Sequence, residues 1–277
     1  NIPIPGGTTG HAVCGTLIAC LLGPYAACIS VTVALVIQAF LFGDGGILAL
    51  GANCFNMAFV LPFIGYAVFS FIKKHTNGKK GEYIGAGIGS YLGINAAALM
   101  AAIEFGIQPL LFTNANGEAL YCPYGLSVSI PSMMIGHLTI FGIAEVVFTV
   151  SLYAFMKNTS PLLQYDNQKK KSKKSTFALI AALIVATPLG LLATGTAWGE
   201  WGSDEISSLV VNGKALGYTP KGMADGWNLS VLCPDYTLGN LPEWVAYILS
   251  AIIGVGIAVI IFKIISSVMK EKVVYDK

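Results

Sequence analysis

The sequence predicts an all-α integral membrane protein, built as a polytopic bundle of helices. Only 11% of its 277 residues are charged and 55% are hydrophobic, whereas soluble domains carry roughly 25% charged residues. Several apolar runs reach about 18 residues or more, a length that can cross a bilayer. The net charge is only +2, and no basic patch is interleaved with aromatic residues, so we expect no nucleic-acid partner.

Apolar segments set the order of the predicted helices. Their bounds are 11–22, 24–42, 54–72, 83–104, 131–156, 176–195 and 243–268. The first segment makes only about 18 Å of helix, against a hydrocarbon core of about 30 Å. It ends at Gly23, before a proline that can open the next helix. We therefore expect a helix of partial membrane depth, with His11 at its start.

Lysines cluster after three of these segments and predict the orientation. The clusters are Lys73, Lys74, Lys79 and Lys80, then Lys169, Lys170, Lys171, Lys173 and Lys174, then Lys270 and Lys272. Basic connections stay in the cytoplasm. The connections 105–130 and 196–242, which contain few lysines, should then lie outside, as should His11. The C-terminus should be cytoplasmic.

The stretch 42–53 separates two predicted spans and is interrupted by Gly, Asp and Asn. It is too short to cross the membrane. Irregular backbone at membrane depth persists only where protein buries it or a cavity wets it. We therefore expect a tucked loop on the outer side, close to His11.

His137 and Glu145 lie well inside one apolar segment. Eight residues separate positions on a helix by about 12 Å and roughly 80° in direction, so the two should not contact each other. Ionisable groups within spans usually face protein or water. Two interpretations stay open: each satisfies a neighbouring helix, or one of them acts in a relay or toward a partner. A membrane-bound enzyme would have to use this pair.

The glycines of segment 83–104 indicate close helix packing rather than a dinucleotide site, because no strand precedes them. They are Gly85, Gly87, Gly89 and Gly93. The sequence has no GxxxxGK[ST] motif, so we expect no ATP binding through a P-loop.

His11 is the strongest candidate for function, although a lone histidine near a helix start can also be structural. Imidazole is a good ligand for Ni²⁺, Co²⁺, Cu²⁺ and Zn²⁺. One histidine is not a site, so the other donors must come from backbone, from water or from residues outside this sequence.

Cys122 and Cys233 both fall in polar connections that are predicted to lie outside. An oxidising compartment would permit a disulfide between them. The distance between the two residues decides whether it forms.

Four stretches resemble the CbiM/NikM family, the substrate-binding (S) components of energy-coupling-factor (ECF) transporters for cobalt and nickel. They are Pro5-Gly6-Gly7-Thr8-Thr9-Gly10-His11-Ala12, Leu22-Gly23-Pro24, Gln38-Ala39-Phe40-Leu41-Phe42-Gly43-Asp44-Gly45-Gly46 and Leu50-Gly51-Ala52-Asn53-Cys54-Phe55-Asn56-Met57-Ala58. The helix with His137 and Glu145 is also similar to that family. The resemblance is dense over 1–156 and weaker through Thr196-Ala197-Trp198-Gly199-Glu200-Trp201.

The resemblance implies an ECF S-component fold and a transport function without catalysis or a cofactor. An S component captures the divalent metal ion, here Ni²⁺ or Co²⁺, from outside the cell. A transmembrane coupling (T) component and two cytoplasmic ATPases supply the energy. The protein would then lie in the inner membrane of a bacterial cell.

The family's metal site also follows from the resemblance. It joins an N-terminal Met-His pair to a second histidine, which matches His11. The sequence begins with Asn1 and has no such pair, so we expect an N-terminal portion with further helices to precede it. The tucked loop would pack over the N-terminal peptide, and Asp44, Asn53 and Asn56 would support the site by hydrogen bonds.

Three regions follow from this division. Residues 1–160 form the S-component core, 161–175 form a basic cytoplasmic linker, and 176–277 form a two-helix part similar to the accessory NikN/CbiN component, with the outer loop 196–242. The alternative is a secondary transporter or channel for another small solute. That class normally shows broken helices in two inverted repeats, and this sequence has one broken region.

Overall fold

The computed structural model describes residues 2–3, 9–76, 78–159, 174–193, 196–227 and 229–269. Helices dominate this part of the chain, and four two-residue strands form two small antiparallel pairs. In chain order the elements are β1 Ile2–Pro3, β2 Thr9–Gly10, α1 Gly15–Leu22, α2 Pro24–Ile37, α3 Leu50–Asn53, α4 Leu61–His75, α5 Lys79–Leu111, α6 Leu126–Gly136, α7 Gly142–Thr159, α8 Lys174–Ala186, β3 Val210–Val211, β4 Lys214–Ala215, α9 Lys221–Ala224 and α10 Glu243–Met269.

Short irregular helical turns extend or join these helices. The π-helical turns are Gln38–Phe42 after α2, Cys54–Val60 between α3 and α4, and His137–Phe141 between α6 and α7. A 3₁₀ turn, Thr187–Leu192, follows α8. π-helical turns, which are wider than α-helical ones, occur often at functional sites. The π-helical turn at His137–Phe141 contacts Gly10, the residue before His11.

Six helical stretches of the described residues are long and apolar enough to cross a membrane, which confirms the predicted fold class. They are Pro24–Phe42, Leu50–His75, Lys80–Leu111, Leu126–Thr159, Lys174–Leu192 and Glu243–Val268. Three of them extend beyond the predicted apolar segments: Leu50–His75, Lys80–Leu111 and Leu126–Thr159. Helix α1, with eight residues, is too short to span the membrane.

The predicted helix over 11–22 begins later than expected. Residues 11–14 are not helical, and Cys14 has a left-handed φ of 54°. His11 therefore lies in an extended connection between β2 and α1 rather than on the helix. Residues 43–49 are irregular, as predicted for the tucked loop, but its last part is helical. Leu50–Asn53 forms α3 and continues toward α4 as one helical stretch, Leu50–His75.

Helix α5 forms the centre of the bundle and packs against α4, α6 and α7. The α4–α5 contact is tight: a Cβ atom on Gly89 would lie 2.5 Å from the carbonyl oxygen of Gly65. The packing interpretation of the α5 glycines is therefore confirmed at this position. At one end, which we call the lysine end, the Glu82 carboxylate bridges Lys73 of α4, at 3.0 Å, and Lys157 of α7.

The opposite end carries His11, and we call it the His11 end. The loop 196–242, called the long loop below, returns there between α8 and α10. Helix α10 contacts α2, and Ala246 and Ser250 of α10 are buried. None of the side chains of α8 is buried, so its surface remains available to lipid or to another helix.

Candidate metal site

Gly10 places His11 by a close approach to an aromatic ring. Its backbone pairs with Ile2 and lies flat on Phe141 of the π-helical turn. A Cβ atom at Gly10 would lie 2.3 Å from ring carbons of Phe141. Only glycine fits at that distance, so the sequence Gly10-His11 brings the imidazole beside the π-helical turn that joins α6 to α7.

Glu145 holds the other side of the His11 connection. Its side chain is completely buried, and its Oε2 atom accepts a hydrogen bond from the backbone N–H of Cys14 at 3.2 Å. The free N–H groups at a helix start favour a carboxylate. Glu145 therefore caps the start of α1 from α7, which supports the interpretation that it satisfies a neighbouring helix.

The His11 side chain faces a carboxylate from the long loop. Its Nε2 atom is buried and has no hydrogen-bond partner among the described residues. The Oε1 atom of Glu200 lies 3.8 Å from it, which is too far for a hydrogen bond. The His11 and Glu200 side chains are 32% and 41% exposed. A buried polar nitrogen normally has a partner, so this pair leaves room for a ligand that water can deliver.

Aromatic rings fix the backbone on both sides of Glu200. Trp198 packs edge-on against Phe105 of α5, with ring centroids 5.7 Å apart, and against Trp201 at 5.1 Å. Tyr124 contacts both tryptophans, at 5.9 and 5.5 Å. These contacts hold the short segment that contains Glu200 against the bundle.

The surroundings of Glu200 shift the pKa of its carboxyl group in opposite directions. Partial burial raises the pKa of its carboxyl group, the facing His11 lowers that pKa, and Asp44 raises it further. The Glu200 carboxyl therefore keeps its proton to a higher pH than an ordinary glutamate. Asp44, His11 and Glu200 interact electrostatically at one end of the molecule.

Asp44 itself is occupied by hydrogen bonds. Its Oδ2 atom accepts from Gln38 Nε2 at 2.6 Å and from the Tyr236 hydroxyl of the long loop. The Tyr236 ring stacks on Phe42 at 4.7 Å. Burial and the neighbouring Asp44 raise the pKa of the Tyr236 hydroxyl, which therefore remains a donor. Asp44 thus anchors the long loop to the end of α2.

His137 lies near His11 but has its own partner. Its Nδ1 atom is 2.8 Å from the carbonyl oxygen of Met133, and a carbonyl only accepts, so Nδ1 carries the proton. Its ring contacts Phe141, with centroids 5.2 Å apart. His137 and Glu145 bond to different groups within the described residues, in agreement with their predicted separation.

The two asparagines make contacts away from His11. Asn53 Nδ2 donates to the carbonyl of Gly45 at 2.9 Å and so pins the tucked loop. Asn56 Nδ2 donates to Glu104 Oε2 of α5 at 2.6 Å. The peptide over which this loop was predicted to pack lies outside the described residues, so their supporting role stays a prediction.

The disulfide considered for Cys122 and Cys233 is not formed. Both cysteines are buried free thiols. The Cys122 backbone N–H donates to the Gln108 side chain at 2.9 Å, whereas the Cys233 backbone N–H donates to the Leu41 carbonyl at 3.0 Å. The two residues are held at the ends of different helices, α5 and α2.

The side chains of His11 and Glu200, both of types that can bind metal, face each other. Within the described residues, no three His, Cys, Asp or Glu side chains lie close enough together to hold a metal ion. An imidazole nitrogen and a carboxylate oxygen are both acceptable donors for Ni²⁺ and Co²⁺. Sequence reasoning missed Glu200 as a site residue. The signal was an acidic residue between two tryptophans, in a connection predicted to lie outside.

Comparison with known proteins agrees with these features. Residues 1–163 match the CbiM family, described as the cobalt uptake substrate-specific transmembrane region, and residues 172–271 match the PDGLE domain. The chain is 48% identical to the probable fused nickel transport protein LarMN of Lactiplantibacillus plantarum, over 95% of this chain and 79% of that protein. It is 44% identical to the fused nickel transport protein NikMN of Rhodobacter capsulatus, over 94% and 79% of the two chains.

A solved structure supports the fold. A crystal structure of a transition metal transporter aligns with a TM-score of 0.53 at 56% identity, covering 57% of this chain and 68% of that one.

A more distant relative in sequence is named for cobalt. The cobalt transport protein CbiM of Anoxybacillus flavithermus is 28% identical over 58% of this chain and 60% of that protein.

Proposed function

Because the chain belongs to the CbiM family of cobalt uptake substrate-specific transmembrane regions, we propose that it is the substrate-binding S component of an ECF transporter. It captures a divalent transition-metal ion outside the cell, and nickel is its first candidate because two close relatives are named nickel transport proteins. Cobalt remains the alternative cargo because the family is named for cobalt uptake and shares the same nitrogen donors.

The observation that carries this proposal is the unsatisfied Nε2 atom of His11. It is buried, lacks a hydrogen-bond partner in the described residues and lies beside a carboxylate at a partly open end of the bundle. A divalent cation would give this nitrogen the partner that it lacks. The remaining nitrogen donors of the proposed site come from the N-terminal Met-His pair that the family resemblance implies.

Energy for import comes from partner subunits in this proposal. Two cytoplasmic ATPases hydrolyse ATP, and a transmembrane T component couples the hydrolysis to release of metal inside the cell. The lack of a P-loop motif in this sequence agrees with that division of labour. The lysine clusters support an inner-membrane orientation with a cytoplasmic C-terminus and an outer His11 end.

The same proposal divides the chain into three regions. Residues 1–160 form the metal-binding core, 161–175 the basic linker, and 176–277 an accessory part whose long loop packs over the core. The contacts of Trp198 with Phe105 and of Tyr236 with Asp44 support this division of roles.

An uptake experiment tests the proposal. The full-length protein is expressed with its T and ATPase partners in cells that lack nickel and cobalt importers, and cellular metal is measured by mass spectrometry. We expect accumulation that requires both the partners and His11, so His11→Ala abolishes it. The control His75→Ala changes an exposed histidine at the lysine end. Equal accumulation without the ATPases would indicate a secondary transporter or channel instead.

A further inference from the structure

We propose that Glu200 of the long loop is a metal ligand, which binds the incoming divalent cation together with His11. This inference rests on the function proposed above and adds a donor from the accessory part of the chain. The family resemblance assigns nitrogen donors to the site, whereas Glu200 supplies a charged oxygen from a region that follows the core in sequence.

The distance between the two donor atoms fits one bound cation. His11 Nε2 and Glu200 Oε1 are 3.8 Å apart. Metal–nitrogen and metal–oxygen bonds are each about 2.0 to 2.2 Å long in zinc sites, and their sum exceeds this separation. A single ion of similar size can therefore contact both atoms without a change in the backbone.

The carboxylate is held in place while remaining open to water. Trp198 and Trp201 fix the residues on either side, and Gly199, with a φ of 97°, lets the backbone pass within contact distance of Phe105. The Glu200 side chain is 41% exposed. A fixed, reachable carboxylate is suited to receive a hydrated cation from outside.

Glu200 differs from the other nearby carboxylates. Asp44 already accepts hydrogen bonds from Gln38 and Tyr236. Asp204 is exposed on the same loop. Among the three, only Glu200 faces an imidazole nitrogen that lacks a partner in the described residues. The unsatisfied nitrogen is the observation that separates a ligand position from an ordinary surface carboxylate.

A rival role predicts the opposite effect. If Glu200 instead served as a latch that pairs with protonated His11 and blocks it, removing its charge would free the imidazole. Metal would then bind more tightly to the variant than to the native protein. The sign of the change in affinity therefore distinguishes a ligand from a latch.

The test titrates the purified full-length protein with NiCl₂ and with CoCl₂ by isothermal calorimetry. Glu200→Gln keeps the shape but removes the charged donor, and we expect it to weaken Ni²⁺ binding roughly ten- to hundredfold. The matched control Asp204→Asn removes an exposed carboxylate from the same loop and should leave affinity unchanged. X-ray absorption of the nickel-loaded protein should show a different nickel coordination shell in Glu200→Gln than in the native protein.

Each result decides between specific claims. Unchanged or tighter binding by Glu200→Gln, with His11→Ala abolishing binding, would overturn the Glu200 inference and leave the proposed function intact. Native-like binding by His11→Ala would overturn the proposed function. If Glu200→Gln fails to show the native melting transition, Glu200→Asp decides. Its carboxylate is one methylene shorter, so we expect a folded Glu200→Asp to bind Ni²⁺ more weakly, and native affinity in that variant would contradict the inference.

Discussion

Single residues set the position of His11 before any metal binds. Phe141 supports the backbone on one side, where Gly10 lies against the ring, and Glu145 accepts the Cys14 N–H on the other. Both contacts come from the same helical stretch, Leu126–Thr159. The imidazole is therefore positioned by groups that are not ligands themselves.

Gly10→Ala tests this positioning. The added methyl would overlap the Phe141 ring, and forcing extra atoms into a packed site costs about 1–3 kcal/mol. We expect a lower melting temperature in detergent and weaker Ni²⁺ binding. Gly51→Ala is the matched control, because a Cβ atom there meets nothing within 4 Å. Native affinity in Gly10→Ala would show that the Phe141 contact does not position His11.

At the scale of elements, the long loop is attached to the bundle at two places. The tryptophan segment packs on α5, and the turn Pro234–Tyr236 packs on the end of α2. The second attachment depends on one hydroxyl, because Tyr236 donates to Asp44 while its ring stacks on Phe42.

Tyr236→Phe removes that hydroxyl and keeps the stacked ring. A hydrogen bond to a charged group contributes about 1.5–3 kcal/mol, so we expect the turn to open more often. Hydrogen–deuterium exchange should become faster at the Cys233 amide, which is bonded to Leu41. The control Tyr25→Phe changes a tyrosine that is 75% exposed. Unchanged exchange at Cys233 would show that the Asp44 bond does not hold the turn.

The elements also show how far the sequence could lead. Apolar runs located the spanning helices because membrane burial acts on every residue of a span in the same way. They misplaced the start of α1, because its first residues are fixed by Glu145, 131 positions away from Cys14. A periodic pattern contains no information about such a contact.

The candidate site also contains one residue that the sequence could identify and one that it could not. His11 could be identified because its neighbours form a specific motif. Glu200 could not, because its role depends on how the long loop folds back onto the bundle. The supporting role of Asn56 stays a prediction. Its hydrogen bond to Glu104 depends on how α5 packs, which the sequence pattern does not show.

For the whole molecule, the CbiM and PDGLE regions pack together through the contacts of Trp198 with Phe105 and of Tyr236 with Asp44. Tyr218 adds a third contact between the two regions, because its hydroxyl accepts a hydrogen bond from the Ala119 N–H at 2.9 Å. We expect two chains, 1–163 and 172–277, to purify together after coexpression, because these contacts do not require the covalent link. Combining Trp198→Ala with Tyr236→Phe should reduce the recovery of the second chain. Separate elution of the unsubstituted chains would contradict a packed unit.

The central claim is that His11 binds a divalent transition-metal ion, and calorimetric titration of the full-length protein with NiCl₂ tests it most directly. The native protein and His75→Ala should show the same saturable binding. His11→Ala should weaken it by more than about a hundredfold, since a direct ligand contributes at least as much as its supporting groups. Binding by His11→Ala that matches the native protein would contradict the claim.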